Sequence, residues 1–307
     1  MFAMLHGPLP APADGADPLH DAVTAQLAGG LDLVTEAGSL LADRDAALLR
    51  ALDEGDTGPD GLLVRVWRAT ATAAASMGES PVAVAATVTG PYTLATRHRG
   101  LDPVSLGERL LGELVALAAA GCPLVVVDEP EAVGIGADDR ARTRFRDAQR
   151  ALLPGDPPLH AMLAITGGSA WDAGPATILD APYASYLLDL VAGPDNWDLA
   201  RAVPGDRGIV CAALRAPSAE DQAPLLVWAA QYAASMNGRG LARVGLANAS
   251  PLGGLDPELA RGALVALGRA ARFAAMDPDA AIADGLDRRT FAQPPGRGAR
   301  RRGLRRS

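Results

Sequence analysis

From about residue 80 onward the chain repeats one pattern: a short apolar run rich in β-branched residues, a turn with Gly and Pro, then a longer stretch with apolar residues at helical spacing. The runs at residues 82–88, 124–127, 159–165, 209–214 and 243–247 read as strands. Residues 31–35 give an earlier one, and residues 183–190 a weaker one. Their apolar character does not alternate, which is how a parallel strand looks when both of its faces are covered. Between them, residues 104–120, 138–152, 218–236 and 257–275 predict amphipathic helices. Ser218 and Asp256 stand at N-cap positions, and Pro257 follows at a first helical position. Six or seven βα units in about 280 residues suit a closed eight-stranded barrel. A doubly wound open sheet uses the same alternation, and periodicity does not choose between the two.

Length and composition narrow the class. The chain has 307 residues, of which 49% are hydrophobic, enough for one large core, and one barrel over residues 1–285 is expected. The remainder, 286–307, turns Gly- and Arg-rich without apolar periodicity and reads as a disordered basic tail. A net charge of -8 argues against nucleic acid or an anionic membrane as partner, since both require a positive field. No apolar stretch is long enough to span a bilayer, and the first nine residues lack the basic and apolar regions of an export signal. The two cysteines, Cys122 and Cys211, lie inside apolar runs and form no disulfide framework, so a reducing, cytoplasmic setting is expected. The expected partner is a small molecule or another protein.

In parallel α/β folds functional side chains collect just past the carboxyl ends of strands. The richest such position is Val125-Val126-Val127-Asp128-Glu129-Pro130, where a buried strand delivers two carboxylates that a core would not hold unpaired. Asp128 and Glu129 are therefore candidate substrate-binding residues. As plain structure, Asp128 would cap the next helix and Glu129 would be solvated. Thr87-Val88-Thr89-Gly90-Pro91-Tyr92-Thr93 is a second strand end, with hydroxyls for neutral hydrogen bonding and a glycine that admits close approach. His160, in Leu159-His160-Ala161-Met162-Leu163, is the third candidate, although a histidine among apolar residues is more often a satisfied core group.

These segments, in their order, resemble the C-terminal catalytic barrel of cobalamin-independent methionine synthase, within the superfamily that also holds uroporphyrinogen decarboxylase. Leu5-His6-Gly7-Pro8 stands where that family has its opening strand and turn, and Gln26 with Gly30-Leu31-Asp32 resembles the next segment. Thr89-Gly90-Pro91 with Thr93 is similar to Thr-Gly-Pro-x-Thr, and Ala120-Gly121 before Asp128-Glu129-Pro130 is similar to the Ala-Gly, strand, Asp-Glu-Pro signature. The resemblance covers residues 4–276 and implies a (β/α)8 TIM barrel that moves a methyl group from a folate to the thiolate of homocysteine, held on zinc. It makes Gly7, Thr89, Asp128 and Glu129 the substrate-binding set.

The same resemblance shows what is missing. Of the family's zinc ligands, His160 matches the histidine, Met162 and Ser250 stand at the two cysteine positions, and Asp189 is the nearest acid to the glutamate. Two of four positions do not make a zinc site, so no cofactor is assigned and zinc is expected to bind weakly or not at all. Gly38 falls at the place of the glutamate that holds the homocysteine amino group, with Glu36 two residues earlier, and the catalytic histidine falls near Ala212-Ala213. Three readings remain: methyl or alkyl transfer to a thiol-bearing or amino-acid-like substrate, with folate as a further candidate ligand; a catalytically inactive barrel serving as a binding or partner subunit; and, last, a decarboxylase, for which the pocket strands lack an arginine cluster.

Overall fold

The structure, a computed structural model, describes residues 1–12, 16–41, 43–77, 81–216, 218 and 220–291. Eight strands run in parallel: β1 (Phe2–Ala3), β2 (Leu33–Val34), β3 (Ala83–Thr89), β4 (Leu124–Asp128), β5 (His160–Ile165), β6 (Ser185–Asp189), β7 (Gly208–Leu214) and β8 (Val244–Asn248). From β2 to β8 each pairs with its neighbour in chain order, and β1 pairs with β8. A parallel bridge from Met4, just past β1, to Leu33 on β2 closes the ring. The helices alternate with the strands: α1 (Pro18–Ala28), α2 (Arg44–Glu54), α3 (Leu62–Met77), α4 (Pro91–Arg97), α5 (Pro103–Ala119), α6 (Asp139–Leu152), α7 (Pro175–Ile178), α8 (Asn196–Ala202), α9 (Ala223–Ser235), α10 (Pro257–Ala275) and α11 (Pro278–Ala283). The chain is a (β/α)8 barrel, which settles the choice that periodicity left open.

The strands have two buried faces and two cores. At least one residue from each strand or its immediate extension, including Met4, Leu33, Ala85, Val126, Met162, Leu187, Val210 and Ala247, fills the interior of the barrel. The opposite faces pack with the helices into the larger core. This double burial is why the strand runs show no polar alternation. The weaker run at 183–190 is a full strand, β6, buried throughout.

Two expectations need correction. The helix expected over 218–236 begins only at Ala223, because Pro224 lacks an N–H and its ring clashes with the preceding turn, which confines it to the first turn. Ser218 instead accepts from the Glu220 N–H at 3.2 Å in the preceding loop. The packed unit also runs past residue 285: Leu286 is buried, and Arg288–Phe291 forms a 3-10 turn. The tail reading at 292–307 lies outside the described residues. No helix among the described residues is long and apolar enough to cross a membrane.

Candidate functional site

The carboxyl ends of the strands define one mouth of the barrel. In the β4–β3 register Asp128 is paired with Thr89, and Leu124, four residues before Asp128, lies with the interior side chains, so Asp128 points inward at the rim. One of its oxygens, Oδ1, is buried and makes no hydrogen bond, while the side chain as a whole keeps 20% of its exposure. The group facing it is His6, whose Nε2 lies 3.5 Å from Oδ1. Thr166, past the end of β5, brings its Oγ1 within 3.4 Å of the same Nε2.

His6 is held firmly from behind. Asn248, the last residue of β8, accepts from the His6 N–H at 2.8 Å and donates its amide to the His6 carbonyl at 2.7 Å. Gly7 follows with a φ of 81°, a left-handed turn that a side chain would strain, and this lets the chain turn away just after His6. Gly7 thus shapes the rim.

Thr89 is committed locally. Its hydroxyl donates to Asp45 of α2 at 2.7 Å, Asp45 pairs with Arg97 at 3.0 Å, and Arg97 reaches Glu131 at 3.0 Å. Glu36 is likewise occupied, with its carboxylate 2.6 Å from the Arg44 guanidinium. It is therefore paired within the protein.

Glu129 departs from expectation. It is neither solvated nor at the mouth but fully buried, accepting from the N–H groups of Tyr92 (3.0 Å) and Thr93 (2.7 Å) and from the Gln149 amide (2.6 Å). Gln149 in turn accepts from the Tyr183 hydroxyl at 2.5 Å. The carboxylate seats the first turn of α4. Burial pushes its carboxyl up to about 7, against the pull of its hydrogen bonds from Thr93, Gln149 and Tyr92. Asp128 and Glu129 alternate across the strand, one to the interior and one to the helix layer.

His160 lies at the wrong end. It is the first residue of β5, paired with Leu124 at the start of β4, whereas Asp128 is paired with Ala164. Four residues of strand, roughly 13 Å, separate its level from that of Asp128. Its Nε2 is 2.8 Å from the Ser185 hydroxyl, beside a cavity of about 350 Å³ under the barrel that Phe2, Asp206 and Arg243 also line. Met162 sits mid-barrel, 1% exposed. Asp189 does stand at the carboxyl end, of β6, but its oxygens accept the N–H groups of Gly167, Val191 and Ala192 at 2.8 to 3.0 Å. Among the described residues no three His, Cys, Asp or Glu side chains converge to hold a metal ion.

The structure thus gathers Gly7, Thr89 and Asp128 at one rim and leaves Glu129 and His160 out. His6, Thr166 and Asn248 are the additions. His6 carried a signal in the sequence, a histidine at a strand end directly before a glycine turn, and Thr166 follows the apolar run 159–165 in the same way. Larger clefts lie elsewhere, about 460 Å³ between the loop that follows β7 and α10 and about 580 Å³ between the end of α1 and α10. The first takes residues from one strand end only, that of β7 at Leu214, the second from none, and the chemistry of the rim locates the site better than volume does.

Fold and rim together define a closed parallel barrel with its polar groups at the carboxyl-end mouth. No family model matches the chain. Over 114 residues it is 36% identical to a 5-methyltetrahydropteroyltriglutamate–homocysteine methyltransferase of Parvibaculum lavamentivorans, covering 35% of this chain and 15% of that protein. Over 99 residues it is 39% identical to the protein of the same name from Rhodopseudomonas palustris, covering 31% and 12%. The matches therefore take in a short part of either relative's length. Among solved structures, a B12-independent methionine synthase from Shewanella sp. W3-18-1, in complex with selenomethionine, superposes with a TM-score of 0.67 at 14% identity over 89% of this chain and 97% of that one. A putative vitamin-B12-independent methionine synthase from Listeria monocytogenes gives 0.65 at 14% identity over 85% and 86%. A methyltransferase from Methanosarcina mazei gives 0.57 at 14% identity over 84% and 87%. The structural likenesses establish the fold. With the curated matches, they make this chain a divergent relative of the cobalamin-independent methionine synthase family.

Proposed function

We propose that the carboxyl-end mouth binds a small amino-acid-like or thiol-bearing substrate through Asp128, and that the barrel transfers a methyl or other alkyl group to it without a resident zinc ion. The observation that carries this reading is the state of Asp128. It is an inward carboxylate at the rim with a buried oxygen that no hydrogen bond satisfies, and such a group is costly to keep unless something pairs with it. Oδ1 faces His6, and the carboxylate's other oxygen, Oδ2, is not buried and accepts from no described residue, so a substrate ammonium in the mouth is a partner of the right charge for it. The metal-free character rests on the donor set: His160 is at the far end, Asp189 is capped by backbone, and Ser250 and Met162 offer a hydroxyl and a thioether, poor zinc ligands at neutral pH.

A second reading, a binding or partner subunit without turnover, is favoured by the same lack of converging donors among the described residues. Single-turnover transfer from a methylated folate to homocysteine separates the two. Transfer supports the enzyme, and binding without transfer supports the subunit.

The test of the binding role compares Asp128→Asn with the wild-type protein in thermal unfolding, with and without homocysteine. Losing a charge-assisted pair should cost about 1.5–3 kcal/mol of affinity. Stability without ligand should change little, because an isosteric amide at the rim leaves no cavity. Equal ligand-induced stabilisation in both proteins would reject the role.

A further inference from the structure

We infer that His6 and Asp128 form a metal-free thiolate holder in the mouth, in which His6 takes the proton of an acceptor thiol and Asp128 stabilises the imidazolium that results. The inference rests on the mouth being the substrate site. It starts from the tautomer. An ionised carboxylate only accepts hydrogen bonds, and Asp128 Oδ1 lies 3.5 Å from Nε2 of His6, ion-pair range rather than a formed hydrogen bond, so this geometry favours the tautomer that carries its proton on Nε2. Thr166 Oγ1, 3.4 Å from the same nitrogen, can accept as well. That leaves Nδ1 as the basic lone pair. No described residue hydrogen-bonds to it.

Position supports the assignment as much as protonation does. A general base has to be held still, and both backbone groups of His6 are gripped by Asn248. The residue is 8% exposed, so its charge interactions are screened less than at an open surface. Free thiols ionise near pH 8.5 and are largely protonated at neutral pH, and an adjacent imidazolium lowers that value by a unit or more. The step is a single proton transfer. The S–H bond breaks, the sulfur keeps the electron pair as thiolate, the proton bonds to Nδ1, and the imidazolium lies between the thiolate and the Asp128 carboxylate. No metal or redox partner enters. Oδ2 of Asp128 remains for the substrate ammonium, so one carboxylate serves both ends of an amino-acid thiol.

The test uses the full chain in the presence of a chelator, with homocysteine as the probe and homoserine, its oxygen analogue, as the control. Binding homocysteine to the wild-type protein at neutral pH should produce the ultraviolet absorbance of a thiolate in proportion to the bound fraction, and homocysteine should bind tighter than homoserine by about tenfold or more. His6→Gln should lose the thiolate absorbance and that preference while still binding homoserine. Homocysteine bound as a neutral thiol, or a thiolate signal that survives in His6→Gln, overturns the inference and leaves the reading of the mouth as a substrate site standing. Failure of both amino acids to bind overturns both. Should His6→Gln not fold, the ratio of the two affinities in the wild-type protein decides alone, and equal affinities reject the holder.

Discussion

At the scale of single residues, the end of β4 sends two neighbouring carboxylates into different surroundings, Asp128 to the half-open mouth and Glu129 to a dry seat under α4. The dry one has the measurable consequence. Its carboxyl titrates near 7 in the folded chain and near 4.5 when unfolded, so the folded state holds the proton more tightly. The stability this adds is fully present below pH 4.5 and is lost as the pH rises through 7. A shift of this size corresponds to roughly 3 kcal/mol. Glu129→Gln, whose amide does not titrate, should flatten the fall of unfolding free energy between these pH values, even though its NH2 group meets the backbone donors poorly and lowers stability overall. Parallel profiles for the two proteins would show that Glu129 does not titrate in this window.

At the scale of elements, α4 depends on a space that only glycine leaves open. A Cβ on Gly90 would stand 2.3 Å from Oε1 of Glu129, inside any tolerable contact, although the backbone there is ordinary, with φ of −71°. Gly90→Ala should therefore displace the carboxylate from the N–H groups of Tyr92 and Thr93, at a cost of about 1–3 kcal/mol or more, read from denaturant unfolding. A silent substitution would mean that α4 is seated by something else. Element placement was largely legible in the sequence because strands and long helices carry periods of their own. The start of α9 departs from the apolar spacing because Pro224 is a local stop that the spacing does not register. Candidate residues were legible only in part. His160 faces the interior as a ligand should, but the two-residue period gives the side of a strand and not the height along it, and β5 rises from His160 rather than ending there. The residue that reaches the mouth from β5 is Thr166, outside the apolar run.

At the scale of the whole molecule, closure rests on the least conspicuous strands. β1 and β2 have two residues each, too few to show any periodicity, yet β1 joins β8 and the Met4 bridge joins β2. This is why alternation alone left an open sheet standing as an alternative. Deleting residues 1–5 should open the ring between β8 and β2 and expose the interior side of Leu33 and Ala247. The expected outcome is a broad, non-cooperative thermal transition with dye-binding apolar surface, and a deletion that still unfolds as sharply as the full chain would show that the seam is dispensable.

The bonds between His6 and Asn248 join residues 242 positions apart in the chain. Seen in time rather than space, that separation orders the birth of the molecule. A growing polypeptide makes His6 shortly after β1 and the asparagine that steadies it only at the end of β8, after seven strands have been made. A chain halted before β8 already contains Asp128, Thr166 and His6, yet its mouth has no grip on the first of its strands. Closing so long a loop is slow and comes after most local structure has formed. The site is thus completed by the same event that completes the barrel, and an unfinished barrel holds no finished mouth.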